Sequence, residues 1–361
     1  MQDKVETSSP MVKPGLRPIE SADLPAIEQM FFDIFRPGAK APHPEFREYF
    51  HRLFFTGPLG EQGGGLVSED GEEVGSAIAL MPITYIAYGR ELVARLACAF
   101  MSRVPQSKAA ARIVLSLRAR GQDMLFTDSA ATTAVGHWTA GGSVVIPVNS
   151  LDWLCTFRPV TSAARRTRLP VALDALWTLP DRAILRRMKR LPIVAPADNE
   201  ISLSAYAARA PEMIAHFSVR PKWERTEMEW QLRMASENRP LGALRFFAVG
   251  GDNSIGCYAY FTGAGGIVRV LDILARPGKE ADVVRALYAR LEAERVVEAR
   301  GSAHPHLLAA LSPLPGMRFR HRAFTCVATR HQDIRDAIAR NDIYIGGLAG
   351  ESWSRLMTDF H

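Results

Sequence analysis

The order in which predicted helices and strands follow one another is the strongest constraint that this sequence places on its fold. From residue 15 to residue 158, the apolar spacing predicts a strand, two helices, three strands and then helices alternating with further strands. From residue 201 onward a similar order returns, although the two halves share negligible sequence identity. Such a repeat predicts an α/β protein with two units, each built on a mixed sheet.

Hairpin signals support the same order in both halves. The run Leu66–Ser68 leads into an Asp-Gly turn, and the chain returns as an apolar strand over 74–85. In the second half, runs over 243–249 and 255–261 flank a glycine-rich turn. A long amphipathic helix is predicted to follow over 280–299.

Length and composition favour two domains. The chain has 361 residues, 47% of them hydrophobic, which is enough apolar material for two cores. We predict a disordered leader over residues 1–14, an N-terminal domain over 15–160, a basic linker over 161–197 and a C-terminal domain over 198–361. No apolar run approaches the roughly 20 residues of a membrane span, and the leader lacks the apolar stretch of a secretory signal.

The cysteines indicate the cellular compartment in which the protein is expected. Four cysteines lie in apolar, strand-like runs without a Cys-x-x-Cys pair, so buried free thiols and a cytoplasmic location are expected.

The net charge of +6 is mild and suits anionic substrates. Basic residues concentrate in one segment where only Trp177 is aromatic, which favours a solvated linker over a nucleic-acid surface. They are Arg165, Arg166, Arg168, Arg182, Arg186, Arg187, Lys189 and Arg190.

The segment from Arg103 to Ala111 is the candidate binding site. A predicted strand ends at Val104, a turn follows, and a helix begins with small residues. Such a turn aims unpaired backbone N–H groups and the positive end of the helix dipole at one point, which suits a phosphate. An ordinary strand-to-helix turn explains these residues equally well. Because neither a G-x-G-x-x-G nor a Walker motif is present, dinucleotide binding and nucleotide hydrolysis are disfavoured.

The same segment resembles a known family. The run Gln106–Ala111 is similar to the [Arg/Gln]-x-x-Gly-x-[Gly/Ala] loop of the GNAT superfamily of acyl-CoA N-acyltransferases, with Ala109 at the central glycine. The stretches Leu16–Ile19 and Ala22–Leu24 also resemble the family's first strand and helix. The resemblance covers residues 15–158. With the repeated second half it implies two tandem GNAT-like domains, a layout also found in Fem-like transferases.

The resemblance implies a co-substrate, acetyl-CoA or another acyl-CoA, and an acceptor amine or hydroxyl on a small molecule, peptide or saccharide. No metal is implied, and a homodimer is left open. The residues that the resemblance assigns to the cofactor are Met101, Arg103, Val104, Gln106, Ser107, Lys108, Ala109, Ala110, Ala111 and Arg112.

The chain departs from the family at the general acid. Many members carry a tyrosine shortly before a Gly-Phe pair, whereas the equivalent run, 134–142, has none, and His137 or Trp138 stands nearest. Histidine titrates near neutral pH and suits acid–base work, but a packed or exposed helix histidine is the alternative. Asp128 is placed near the acceptor by the resemblance. An N-cap for the next helix explains it equally well.

The second half offers a weaker version of the same site. Its corresponding loop, Arg276–Ala281, has Lys279 at the central position, so we expect it to bind CoA less readily and to shape the acceptor site. Asp272 lies on the preceding strand, where an acidic base would fit. His304 and His306 have no evident third ligand, so a surface or core role is favoured over metal binding.

Three functions follow from these observations. The leading hypothesis is an acyl-CoA acyltransferase in which the acceptor attacks the thioester directly. The second is a non-catalytic binding or scaffold protein of the same fold, suggested by the missing tyrosine. The third is a Fem-like aminoacyl-tRNA-dependent transferase, suggested by the tandem layout and the basic linker.

Overall fold

The computed structural model describes residues 15–166 and 194–360, apart from residues 59, 61–63, 252 and 359, and includes residues 177, 180, 181 and 183 of the intervening segment. The predicted leader and most of the predicted linker lie outside the described residues, as do all the basic residues named there except Arg165 and Arg166, which end α5.

The first half of the chain contributes strands and helices in the predicted order. They are β1 (Leu16–Pro18), α1 (Leu24–Phe35), α2 (Phe46–Phe54), β2 (Gly65–Asp70), β3 (Glu73–Ala87), β4 (Arg90–Ser102), α3 (Lys108–Ser116), β5 (Met124–Ala130), α4 (Thr132–Ala140), β6 (Val144–Val145), β7 (Leu151–Thr156) and α5 (Pro159–Arg166).

The second half begins with another short strand and ends with a helix. Its described elements are β8 (Asp198–Ile201), α6 (Leu203–Met213), β9 (Val219–Pro221), α7 (Arg225–Ser236), β10 (Leu244–Val249), β11 (Gly256–Phe261), β12 (Ile267–Ala275), α8 (Glu280–Ala293), β13 (Glu298–Ser302), α9 (Leu308–Leu311), β14 (Met317–His321), β15 (Phe324–Ala328) and α10 (Gln332–Ala339).

Two mixed sheets confirm the predicted α/β class. The first has the strand order β1-β2-β3-β4-β5-β15-β6, with β9 added on β3, and the second has the order β14-β7-β13-β12-β11-β10-β8. Read from β1 and from β8, the two sheets show the same orientations: three antiparallel pairs, one parallel pair and two antiparallel pairs. The repeat that was predicted from element order is therefore visible in the strand pairing.

The two sheets exchange strands. β7 comes from the first half of the chain but pairs with β13 and β14 in the second sheet. β15 comes from the second half but lies between β5 and β6 in the first sheet. Each sheet is thus completed by a strand from the other half, while the domain boundaries at residues 160 and 198 stay a prediction.

A shared apolar core lies between the two sheets. It is formed by one face of each sheet, by α1, α2, α6 and α7, by residues between 343 and 356, and by Phe360. The other face of the first sheet packs on α3, and the other face of the second sheet packs on α8 and α9. Every residue from 343 to 356, here called the 343–356 segment, is buried.

The prediction of one helix over 280–299 was wrong. α8 ends at Ala293, Arg295 adopts a positive φ of 58°, and the chain enters β13 at Glu298. Val296 and Val297 continue the apolar spacing of the helix, but both are buried outside it. Their burial, not helical periodicity, accounts for their apolar character.

The four cysteines are buried and free, as predicted. Within the described residues, no helix is both long and apolar enough to cross a membrane.

We expect the two sheets to unfold together. Since β7 and β15 each complete the sheet of the other half, loss of one sheet removes a strand from the other. Differential scanning calorimetry should therefore show one transition with a calorimetric to van't Hoff enthalpy ratio of about 1. Two separable transitions would contradict this expectation.

Candidate active site

A gap between β4 and β5 defines the candidate active site. These parallel strands pair over three residues each, ending with Leu96 opposite Phe126. Beyond that point they diverge. Cys98, which is skipped in the register with β3, forms a bulge at the same place. Backbone groups on the diverging edges have no partner from the opposite strand in the described ladder and are available to a ligand.

A cavity of about 330 Å³ fills this gap. The consecutive residues 97–100 of β4 line it, and because neighbouring side chains of a strand point to opposite faces, the cavity reaches both faces of the sheet. On one face it is bordered by α3 and α4, through Val114 and Trp138. On the other face it is bordered by α1 and the 343–356 segment, through Phe31 and Glu351.

α4 covers the cavity without packing tightly on the sheet. None of its nine residues is buried. A helix normally buries an apolar stripe against its neighbours, so this exposure leaves room for a ligand beneath it. His137 lies on α4, lines the cavity and is itself exposed. The structure thus places this predicted catalytic residue at the cavity.

The predicted cofactor loop lies where β4 leads into α3. Ser107 is the N-cap of α3, and its Oγ accepts a hydrogen bond from the Ala110 N–H at 3.1 Å. The N–H groups of Lys108 and Ala109 have no partner within the helix, as at any helix start. No acidic residue lies in the first turn of α3, so the positive end of its dipole faces solvent without a carboxylate.

The predicted cofactor residues divide into two groups. Val104, Gln106, Lys108 and Ala111 are exposed, and Ser107 is half-buried. The others are buried or engaged with the protein. Met101, Ala109 and Ala110 are buried. Arg103 is exposed but donates through Nε to the Val74 carbonyl at 3.1 Å, and the half-buried Arg112 donates through Nη1 to the Glu69 carbonyl at 2.9 Å.

The small size of Ala109 has a structural reason. A Cβ on Gly75 of β3 would lie 3.1 Å from the Cβ of Ala109, so the helix packs closely on the strand. Ala109 therefore serves the contact between helix and sheet, and close approach of a ligand is left to the exposed Ala111.

The corresponding turn of the second half is already occupied by carboxylates. The first turn of α8 contains Glu280 and Asp282, and Glu280 Oε1 accepts a hydrogen bond from the Gly278 N–H at 3.2 Å. Asp282 also pairs with Lys279 and Arg285. These negative charges already occupy the position that an anion would take.

The gap of the second sheet is filled by protein. Pairing between β12 and β13 ends at Arg269 opposite Arg300. Beyond it, the buried Asp272 accepts hydrogen bonds from the Tyr344 hydroxyl at 2.6 Å and the Leu348 N–H at 2.8 Å. The 343–356 segment thus lies where the first sheet has its cavity. Burial raises the pKa of Asp272.

Asp128 holds the same segment from the first sheet. It is buried on β5, and both carboxylate oxygens lie 3.3 Å from the N–H of Glu351. The alternative that Asp128 is an N-cap was wrong, because α4 is capped by Ala131. The Asp128 carboxylate instead accepts a hydrogen bond from the backbone N–H of Glu351 itself.

Glu351 was missed by sequence reasoning. It is only 1% exposed, it lines the cavity, and its Oε2 accepts a hydrogen bond from Ser129 Oγ at 2.7 Å. Its Oε1 is buried and has no hydrogen-bond partner among the described residues. Burial, and the charge of Asp128, raise the pKa of the Glu351 carboxyl well above its usual value. Such a carboxyl is a candidate proton acceptor.

Of the two histidines considered for a metal, His304 lies in the core and His306 is half-buried beside it. His304 stacks on Tyr344 with ring centroids 5.7 Å apart, and the His306 ring lies 5.5 Å from that of His304. Burial lowers the pKa of both imidazoles. The described residues contain no group of three or more side chains that could hold a metal ion.

Comparison with solved structures gives similar folds. A GCN5-related N-acetyltransferase from Kribbella flavida aligns with a TM-score of 0.53 at 13% identity. A conserved protein of unknown function from Enterococcus faecalis V583 gives 0.57 at 11%, and a GCN5-related N-acetyltransferase from Anabaena variabilis ATCC 29413 gives 0.55 at 10%. Each alignment covers 86% of this chain and 71% of the other. No protein-family model and no curated protein matches the sequence.

At these low sequence identities, the structural similarity establishes the fold of the chain. The chain has the fold of the GCN5-related N-acetyltransferases, as the sequence resemblance predicted.

Gly347→Ala should destabilise the protein more than Gly278→Ala. Both glycines have a positive φ, 56° and 77°, which costs an alanine roughly 1–2 kcal/mol. Only at Gly347 would the new Cβ also overlap the Asp272 carboxylate, whereas nothing lies within 4 Å of a Cβ at Gly278. Urea unfolding of both variants measures the difference. Equal losses would show that the 343–356 segment shifts freely.

Proposed function

We propose that this chain is an acyl-CoA-dependent acyltransferase whose acceptor attacks the thioester in the gap between β4 and β5. The cavity itself carries the proposal, because it joins the face of the sheet that bears α3 and α4 to the face that presents Glu351. A thioester entering from the first face and an acceptor entering from the second meet in a fixed orientation. The acceptor is an amine or hydroxyl on a small molecule, peptide or saccharide.

Acetyl-CoA or a longer acyl-CoA is the proposed co-substrate. Its phosphates would lie at the start of α3, near the free N–H groups of Lys108 and Ala109 and the exposed side chain of Lys108. The contrast with α8 supports one CoA site, because Glu280 and Asp282 already occupy the start of that helix. The remainder of the CoA would pass beneath α4 into the cavity.

The proposed chemistry is direct transfer. The acceptor nitrogen or oxygen attacks the thioester carbon, and its proton passes to Glu351 Oε1. The C–S bond then breaks, and the CoA sulfur takes a proton, for which we propose His137 as the donor. Backbone N–H groups on the diverging edge of β4 would polarise the carbonyl. Asp128, which accepts from the Glu351 N–H, is proposed as a positioning residue.

Two other functions make different predictions. A non-catalytic protein of this fold would release no CoA thiol with any acceptor. A Fem-like aminoacyl-tRNA-dependent transferase would lose its activity on treatment with ribonuclease. The buried Glu351 Oε1, without a partner among the described residues and at the cavity, favours catalysis over binding alone.

Lys108→Glu should weaken acetyl-CoA binding about tenfold, because it places a negative charge at the proposed phosphate site. Isothermal titration calorimetry measures this change. Lys279→Glu, the same change at the start of α8, is the matched control and should leave the affinity unaltered. Equal losses in both variants, or no CoA binding by the unaltered protein, would contradict the proposal.

Glu351→Gln should lower kcat by a factor of about 10² to 10⁴ with little change in CoA affinity. Glutamine keeps the size and the hydrogen bond from Ser129 but accepts no proton. Because the pKa of Glu351 is raised, its basic form appears only as the pH rises, so the rate of the unaltered enzyme should increase with pH through that pKa. The variant should lose this dependence, which a pH profile of thiol release would show.

A further inference from the structure

An arginine cluster on the second sheet is unexplained by the proposed reaction. Arg269 on β12 lies directly beside Arg300 on β13, on the face of the sheet opposite α8. Like charges in register on neighbouring strands repel each other. Asp152 on β7 and Arg320 on β14 face each other on the same side of this sheet.

The cluster has too little negative charge. Asp152 is the carboxylate at its centre, and four guanidinium groups act on it, those of Arg322, Arg269, Arg320 and Arg300. Arg322 approaches it most closely, with Nε 3.2 Å from Asp152 Oδ1, and Arg320 follows with Nη2 3.9 Å from Oδ2. Two carboxylates, Asp152 at the centre and Asp128 beside Arg322, therefore face four positive charges.

Two of these arginines lack partners. Within the described residues, neither Arg269 nor Arg300 makes a hydrogen bond or an ion pair, and Arg300 Nε is buried without a partner. Burial, and then the neighbouring charge of Arg300, lower the pKa of Arg269 to about 10. Both residues are half-buried, so part of each remains exposed to solvent.

We propose that Arg269, Arg300 and Arg322 form a binding site for an oxyanion, a phosphate or carboxylate group of a ligand. Guanidinium groups present paired donors that match the oxygens of such groups. A bound anion would supply the missing negative charge and hydrogen-bond acceptors. The site lies on the second sheet, apart from the CoA loop at α3, and goes beyond the proposed transfer reaction.

The position of Arg322 links the cluster to the cavity. Its Nη2 lies 4.0 Å from Asp128 Oδ2, and Asp128 holds the N–H of Glu351. An anionic group bound at the cluster would therefore lie on the acceptor side, away from α3. The class of ligand is a molecule that carries a phosphate or carboxylate group.

Thermal unfolding in inorganic phosphate tests the site. Phosphate at ten times its Kd should raise the Tm of the full chain by about 2 °C over sodium chloride of equal ionic strength. Arg269→Met and Arg300→Met should each abolish this shift without lowering the Tm in chloride, because each removes an uncompensated charge. Arg318→Gln is the matched control on the same sheet, since Arg318 already donates to Thr156 Oγ1, and it should keep the shift.

Three results would overturn the proposal. One is an equal shift in phosphate and chloride. Another is a lower Tm in chloride for both methionine variants, which would show that the arginines serve the fold alone. The third is a loss of acetyl-CoA affinity in Arg269→Met as large as that in Lys108→Glu, which would assign the cluster to the CoA phosphates. Failure of CoA to bind the unaltered protein would leave the phosphate result unaffected.

Discussion

Two buried aspartates determine how the rest of the molecule is arranged around the 343–356 segment. Asp272 of the second sheet accepts from Tyr344 and the Leu348 N–H, and Asp128 of the first sheet accepts from the Glu351 N–H. Buried carboxylates are stable only when donors satisfy them. The 343–356 segment supplies donors to both aspartates. As a result it fills the gap of the second sheet and brings Glu351 to the gap of the first.

The same contacts make two similar sheets unequal. Each sheet has one pair of parallel strands that diverge. In each case a helix connects the two strands and begins after the first of them. In the second sheet the segment occupies the gap, and acidic residues occupy the start of α8. In the first sheet the gap contains a cavity, and the start of α3 has no acidic side chain. Differences in local sequence thus leave the gap of the first sheet open to a ligand, while the gap of the second sheet is filled by protein.

The sequence predicted the fold better than it predicted the site. Periodicity and turn residues are local signals, so they located β10 and β11 to within one residue at each end. Strand exchange and the position of Glu351 depend on contacts between residues far apart, which no local pattern encodes. The closely spaced glycines before Glu351 were the one available signal, because two of them lie against the carboxylates of Asp272 and Asp128.

The place of β15 in the first sheet has a consequence for synthesis of the chain. Until residues 324–328 leave the ribosome, β5 has an unpaired edge and β6 has no partner in the described sheet. An open edge of this kind attracts other strands. The first sheet must therefore wait for residues 324–328 before it can close, so folding during translation cannot proceed one half at a time.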